Sequence, residues 1–374
     1  MEDKDYKRLN DYLNNVFIFL SNHDVFFYRN MSLIFKINYM LIADVKEMNL
    51  KHEFHENHNT FLDVFDYSRK MIEKINSGYL SEFDRLICSG RLGFFESEEN
   101  LLLKEYDDYD KLTAIENNEE ETKKSSRCCY VKDECFLDLA RKHDYSDVMV
   151  LVHEFMHSTS KVKNMGKNRY ILAEFLSIYF EMFTQLELLK SGVNISELNI
   201  FYRIKATQQA SISMYNYSLI LRTFELFGSV SEKSTEELEK YRIALVSKEI
   251  FEAMCISLLK YFDKKREKYS CLNETFDIDN YRAYLSTLFR DNYRYILGTL
   301  LSCYVLEQGD KDKVVWLNDH INDEGIENIN LISVLQMIDI DLTQRDIDEQ
   351  LINCFKKYYE VLKTYVEKNA ISLK

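Results

Sequence analysis

Along most of the chain, apolar residues recur three and four positions apart, the spacing of a helix that buries one face. Residues 5–50 read as two helices around the polar break SNHD, and 60–90 continue the pattern through FLDVFDYSRKMIEKINSGYLSEFDRLI. The pattern fails over about 91–146. There the acidic, low-complexity stretch at 117–126 reads as an exposed loop or hinge. CCYV at 128–131 predicts a short strand. Helical spacing returns at 147, and Ser234-Thr-Glu-Glu237 has the form of a capping box that opens a helix. The expected fold is mostly α with one small β element. The expected organisation is an N-terminal helical lobe, 1–116, packed on a second part, 117–374, or one single domain sharing a core.

Composition agrees with long helices. The 374 residues include no proline and nine glycines, and these are the main helix breakers. A host that avoids GC-rich codons gives the same bias, so scarcity permits helices without proving them. A net charge of −14 repels phosphate and makes nucleic acid a poor partner. The eight cysteines show no secreted-scaffold spacing and read as reduced, mostly buried thiols. The polar N-terminus and the short VFIFL after it do not form a signal peptide, and no apolar run reaches membrane-spanning length. The expectation is a soluble cytoplasmic protein with no membrane partner.

The stretch LVHEFMHSTS (151–160) carries candidate chemistry. On a helix, His153 and His157 fall roughly 40° apart on one face, one turn from each other, so both imidazoles reach one ion. Glu154 flanks that face, where a carboxylate can take a proton from a water at the metal. Accident produces this pattern in roughly one chain per hundred of this composition. DVMVLV before the motif makes the helix nearly all apolar, and buried histidines and glutamate are costly there unless paired or metal-bound. A zinc site needs a third protein ligand. This helix is expected to start near Asp144 or Ser146 and to end near Lys161–Lys163. The next, from about Arg169, reads YILAEFLSIYFEMF, apolar except for Glu174, Ser177 and Glu181. In a helical hairpin Glu174 faces His157 and becomes the third ligand. Glu181 and Ser177, on the same side, fit partners that orient the ligand histidines.

DVMVLVHEFMHSTS followed by LAEFLSIYFE resembles the active-site segments of the oligoendopeptidase F and thimet oligopeptidase family of zinc peptidases, with Ala173, Glu174, Ser177 and Glu181 at matching places. DNYRYILGTLLSCYV (291–305) resembles that family's tyrosine-rich segment, with Tyr295 and Gly298 matching, and NLISVLQMIDIDLT (330–343) resembles its C-terminal region. The resemblance implies a zincin-type (gluzincin) multi-helix metallopeptidase fold, with a small β element beside the active-site helix that pairs with substrate backbone near Cys128 or Cys129. It implies one Zn²⁺ held by His153, His157 and Glu174, Glu154 as general base, and short peptides as substrates. The chain departs from the family at Met156, where glycine is usual, and at Ser160, where a further histidine is common. It is also short for the family. No histidine occurs in 270–305, where the family supplies one to the transition state. Tyr295 and then Tyr293 are the candidate replacements, with Tyr281 and Tyr284 also available, since a phenol can donate to an oxyanion.

Other clusters are rejected. His52, His55 and His58 lie in a polar stretch without a buried frame and read as a solvated helix end. Cys128, Cys129 and Cys135 contain no C-x-x-C pair and read as structural thiols rather than a second metal site. Two further readings stand beside the peptidase: a catalytically silent, zinc-bound protein that binds peptides or a partner chain, and a purely structural helical protein.

Overall fold

The structure, a computed structural model, describes residues 1–23, 61–96, 99–100, 126–131, 134–140, 145–160, 169–193, 195, 197–230, 248–270, 278–321, 323 and 331–372. Outside these lie most of the second helix expected within 5–50, His52, His55 and His58, the loop at 117–125, the expected helix end at Lys161–Lys163 and the capping box at 234–237. The side chains of Cys129, Tyr281 and Tyr284 also lie outside them.

The elements in chain order begin with helices α1 (Asp3–His23), α2 (Phe61–Ile75) and α3 (Leu80–Cys88). Strands β1 (Leu92–Glu96), β2 (Glu99–Asn100), β3 (Arg127–Val131) and β4 (Glu134–Ala140) follow. Then come α4 (Ser146–Ser160), α5 (Arg169–Lys190), the single turn α6 (Glu197–Ile200), α7 (Tyr202–Phe227) and α8 (Lys248–Ser270). The chain closes with α9 (Ile278–Gln308), α10 (Lys311–His320), α11 (Leu331–Gln336) and α12 (Ile347–Ser372). The fold is mostly α with a small sheet beside the helix that carries the HExxH pattern, as the sequence leads one to expect.

Two compact units form, each from separated segments: 1–48 with 206–296, and 49–205 with 297–374. In the first, α1 lies against α8. The Tyr12 and Phe262 rings are 5.0 Å apart, the Tyr12 hydroxyl donates to Asp263 at 3.1 Å, and Arg8 pairs with the same carboxylate.

The second unit holds the sheet and the motif. In α2 the buried positions Val64, Ser68, Met71, Ile72 and Ile75 follow helical spacing. The helical pattern expected over 60–90 is broken at Asn76, whose side chain accepts from the Gly78 amide at 2.9 Å and closes a 3-10 turn over Ser77–Tyr79. Asn-Ser-Gly turn chemistry outweighs the hydrophobic period there. In the sheet the strand order is β2-β1-β4-β3, with β1 and β4 parallel and the other pairs antiparallel. The strand expected at CCYV is β3, and the sheet is larger than the single strand the sequence suggested. LGFFE and CFLDL are short apolar runs, which periodicity alone does not separate from buried helix. Cys135, Leu137 and Leu139 of β4 are buried, and both β3 and β4 pack against α4. Helices α4 and α5 are buried nearly all round, the condition of a helix pair at the centre of a core.

Candidate metal centre

Helix α4 begins at Ser146, one of the two expected starts, and packs chiefly on α5. Two cross-helix contacts fix the direction of the pair. His153 Nδ1 lies 2.8 Å from Glu181 Oε2, and His157 Nδ1 lies 3.0 Å from Ser177 Oγ. The earlier residue of α4 meets the later residue of α5, so the helices are antiparallel, the expected hairpin.

Glu174 falls between them and the turn. His153 Nε2 and His157 Nε2 are 3.1 Å apart, and Glu174 Oε2 is 3.8 and 3.9 Å from them. His153, His157 and Glu174 can hold a metal ion, with their donor atoms within 4.8 Å of one another. The point equidistant from the three donors lies about 2.1 Å from each, the length of a bond from a divalent ion to imidazole or carboxylate. With Nδ1 of each histidine turned to Glu181 or Ser177, the two Nε2 atoms are left to face each other and Glu174. Two imidazole nitrogens at this separation need a proton or a cation between them.

Behind the donors stands a buried ion pair. Arg203, in the first turn of α7, donates from Nε to Glu181 Oε1 at 3.1 Å and makes a second contact from its terminal nitrogen to Oε2. Burial opposes ionisation of Glu181, but the Arg203 charge and the His153 contact outweigh it and hold the carboxyl at about 2. Burial likewise opposes protonation of His153, yet the Glu181 hydrogen bond and charge leave its pKa raised. Gln185, one turn after Glu181, donates to the Ile200 carbonyl at 2.9 Å and accepts from the buried Tyr358 hydroxyl of α12. This braces the chain three residues before Arg203.

Glu154 is buried on α4 beside His153. Burial raises its carboxyl to about 7, with the His153 charge pulling down and the Glu174 and Glu181 charges pushing up. A carboxyl in that range both accepts and returns a proton near neutrality. The buried acids Glu154, Glu174 and Glu181 meet one buried guanidinium among the described residues here, a surplus of negative charge that favours a bound cation.

The backbone of Glu174 is set by a close helix crossing. A Cβ on Gly298 of α9 would stand 3.2 Å from the Phe175 nitrogen and 3.4 Å from the Glu174 carbonyl carbon. Glycine lets α9 approach α5 there. Ser302, one turn on, shares its single hydroxyl proton between the Gly298 carbonyl at 2.7 Å and the Phe175 carbonyl at 3.2 Å.

The structure thus brings together His153, His157, Glu174, Glu181 and Ser177, with Glu154 on the same helix as the histidines. Tyr293 and Tyr295 belong to the other unit. Tyr293 is buried, and Tyr295 accepts from Arg294 at 3.2 Å with that guanidinium over its ring. Sequence reasoning missed Arg203, Gln185 and Tyr358. The available signal for Arg203 was the series Arg203, Thr207, Ser211, one helical turn apart on an otherwise apolar buried face.

No protein-family model matches the chain, and no curated protein matches it. A solved structure similar to it is that of an assigned oligoendopeptidase F from Bacillus anthracis, at 10% identity and a TM-score of 0.43. The match covers 95% of this chain, which spans 57% of the length of that one. A likeness of this size carries no functional information, and the chemistry rests on the side chains themselves. Among the described residues no helix is long and apolar enough to cross a membrane.

Proposed function

We propose that the protein is a zinc metallopeptidase acting on short peptides. The observation that carries this reading is the largely buried triangle of two imidazole nitrogens and one carboxylate oxygen, with a carboxyl pushed up to about 7 on the helix of the two histidines. Two nitrogen donors and one carboxylate are a catalytic zinc donor set that leaves a position open. Zinc held there would supply Lewis acidity, polarising a peptide carbonyl and acidifying water.

The chain's own groups do the rest. His153 and His157 present Nε2 because Glu181 and Ser177 occupy their Nδ1 atoms. Glu174 adds the third donor and one negative charge. Glu154 takes a proton from the attacking water and hands it to the leaving amine. The phenol of Tyr295, or else Tyr293, is proposed to donate to the oxyanion, on the strength of the sequence alone. The second reading, a zinc-bound protein that binds peptides without cutting, is favoured by the lack of any histidine in 270–305.

One experiment separates them. The parent and Glu154→Gln are loaded with zinc, their metal content is measured, and both are given a quenched peptide library. Both should hold one equivalent of zinc. The parent should cleave, a chelator should stop it, and Glu154→Gln should lose at least ~10²-fold in rate. Undiminished cleavage by Glu154→Gln refutes the mechanism. A zinc-loaded parent that cleaves nothing leaves the silent reading.

A further inference from the structure

Away from the metal donors, the β3–β4 hairpin places two thiols together. Its register sets Cys128 opposite Leu137 and Tyr130 opposite Cys135. Side chains alternate between faces along a strand, so Cys128, Leu137 and Cys135 share one face, the one buried under α4. The sulfurs of Cys128 and Cys135 are 3.3 Å apart. They need to close by about 1.3 Å to reach the length of a disulfide. The two are unequally placed: Cys128 is half-buried and Cys135 is buried. The more exposed Cys128 suits the attacking thiol and the buried Cys135 the resolving one.

We propose that Cys128 and Cys135 form a reversible dithiol–disulfide site that locks the outer strand β3 to β4 when small disulfides such as glutathione disulfide accumulate. The Cys128 thiolate attacks one sulfur of the small disulfide and releases one small thiol. Cys135, as thiolate, then attacks Cys128 Sγ in the mixed disulfide and releases the second. The protein gains one S–S bond. Its two cysteines give up two protons and two electrons, and the small disulfide becomes two thiols. Reduced small thiols reverse each step. The crosslink acts on the sheet edge, since β3 is outermost in the order β2-β1-β4-β3. It fixes that edge to the strand packed on α4. Three other described thiols are poorer nucleophiles. Burial pushes Cys255 up to about 12 and Cys303 and Cys354 upward as well, which leaves little nucleophilic thiolate. The site goes beyond the metal-centre reading and does not depend on it.

The test uses the full native chain in glutathione buffers of rising oxidised fraction, quenched with an alkylating agent. Oxidation should leave two fewer thiols alkylated, without a lasting glutathione adduct, and dithiothreitol should restore both. Trypsin should then yield peptides 128–132 and 133–141 joined. Cys129→Ser should keep this link and Cys128→Ser should abolish it, with hydrogen exchange in β3 slowed several-fold only in the crosslinked forms. Far-UV circular dichroism provides a check that the variants are folded. A stable glutathione adduct in place of the link, a link that persists in Cys128→Ser, or no change in mass across the buffer series overturns the proposal.

Discussion

Replacing Arg203 by methionine removes a buried guanidinium from the acidic centre while keeping most of its apolar stem. Glu181 then stays buried with only His153 as its ionic partner. In the parent, Glu181 sits at about 2 against an ordinary 4.5, a displacement corresponding to about 3 kcal/mol. The figure agrees with the ~3–5 kcal/mol lost when one partner of a buried ion pair is removed. The sign follows from a pKa that folding lowers. The stabilisation is complete above the unfolded value near 4.5 and is lost as pH falls through about 2. Arg203→Met should therefore be about 3 kcal/mol less stable than the parent at pH 7. The gap should narrow once pH drops below the unfolded value, as Glu181 takes a proton in both proteins. Urea unfolding of chelator-treated protein measures this without metal. Trp316, the single tryptophan, lies in the same unit as Arg203, so its fluorescence reports the relevant unfolding. A gap under about 1 kcal/mol at pH 7, or one that is constant from pH 7 to 3, refutes the reasoning.

Gly298→Ala should push α9 off α5 at the Glu174 backbone, lowering stability by ~1–3 kcal/mol and weakening zinc measurably in a chelator competition; an unchanged affinity contradicts the close crossing. Ser177→Ala removes the partner of His157 Nδ1 and should cost about tenfold in zinc affinity, the low end for such supporting groups. Glu181→Gln removes the charge that raises His153. His153 should then titrate lower, and zinc binding at pH 7 should release fewer protons, as read by calorimetry in buffers of different ionisation enthalpy. An unchanged proton count would show that Glu181 does not set the His153 titration.

How far the sequence carried the reading depends on separation along the chain. His153, Glu154, His157 and Glu174 were legible because one hairpin contains them. The helical period fixes which residues share a face, and a short connection leaves the two helices little choice but to pack antiparallel. Glu181 and Ser177 were legible for the same reason, since they continue the face that Glu174 begins. Arg203 was not. Its pairing with Glu181 depends on how the chain returns after α5 through the single turn α6, and no local period encodes that return. The sheet was legible only in part for the same reason: β1 pairs in parallel with β4, and no local period encodes a pairing between strands that far apart in sequence. Cys128 and Cys135 show the cost of reading spacing alone. Seven residues apart, they fit no metal motif, and spacing reads them as structural thiols. The hairpin register then places them on one face with their sulfurs in contact. Spacing predicts chemistry within a regular element, where the period converts sequence distance into spatial distance. Across a turn the register must be known first, and here it decides that the two cysteines meet.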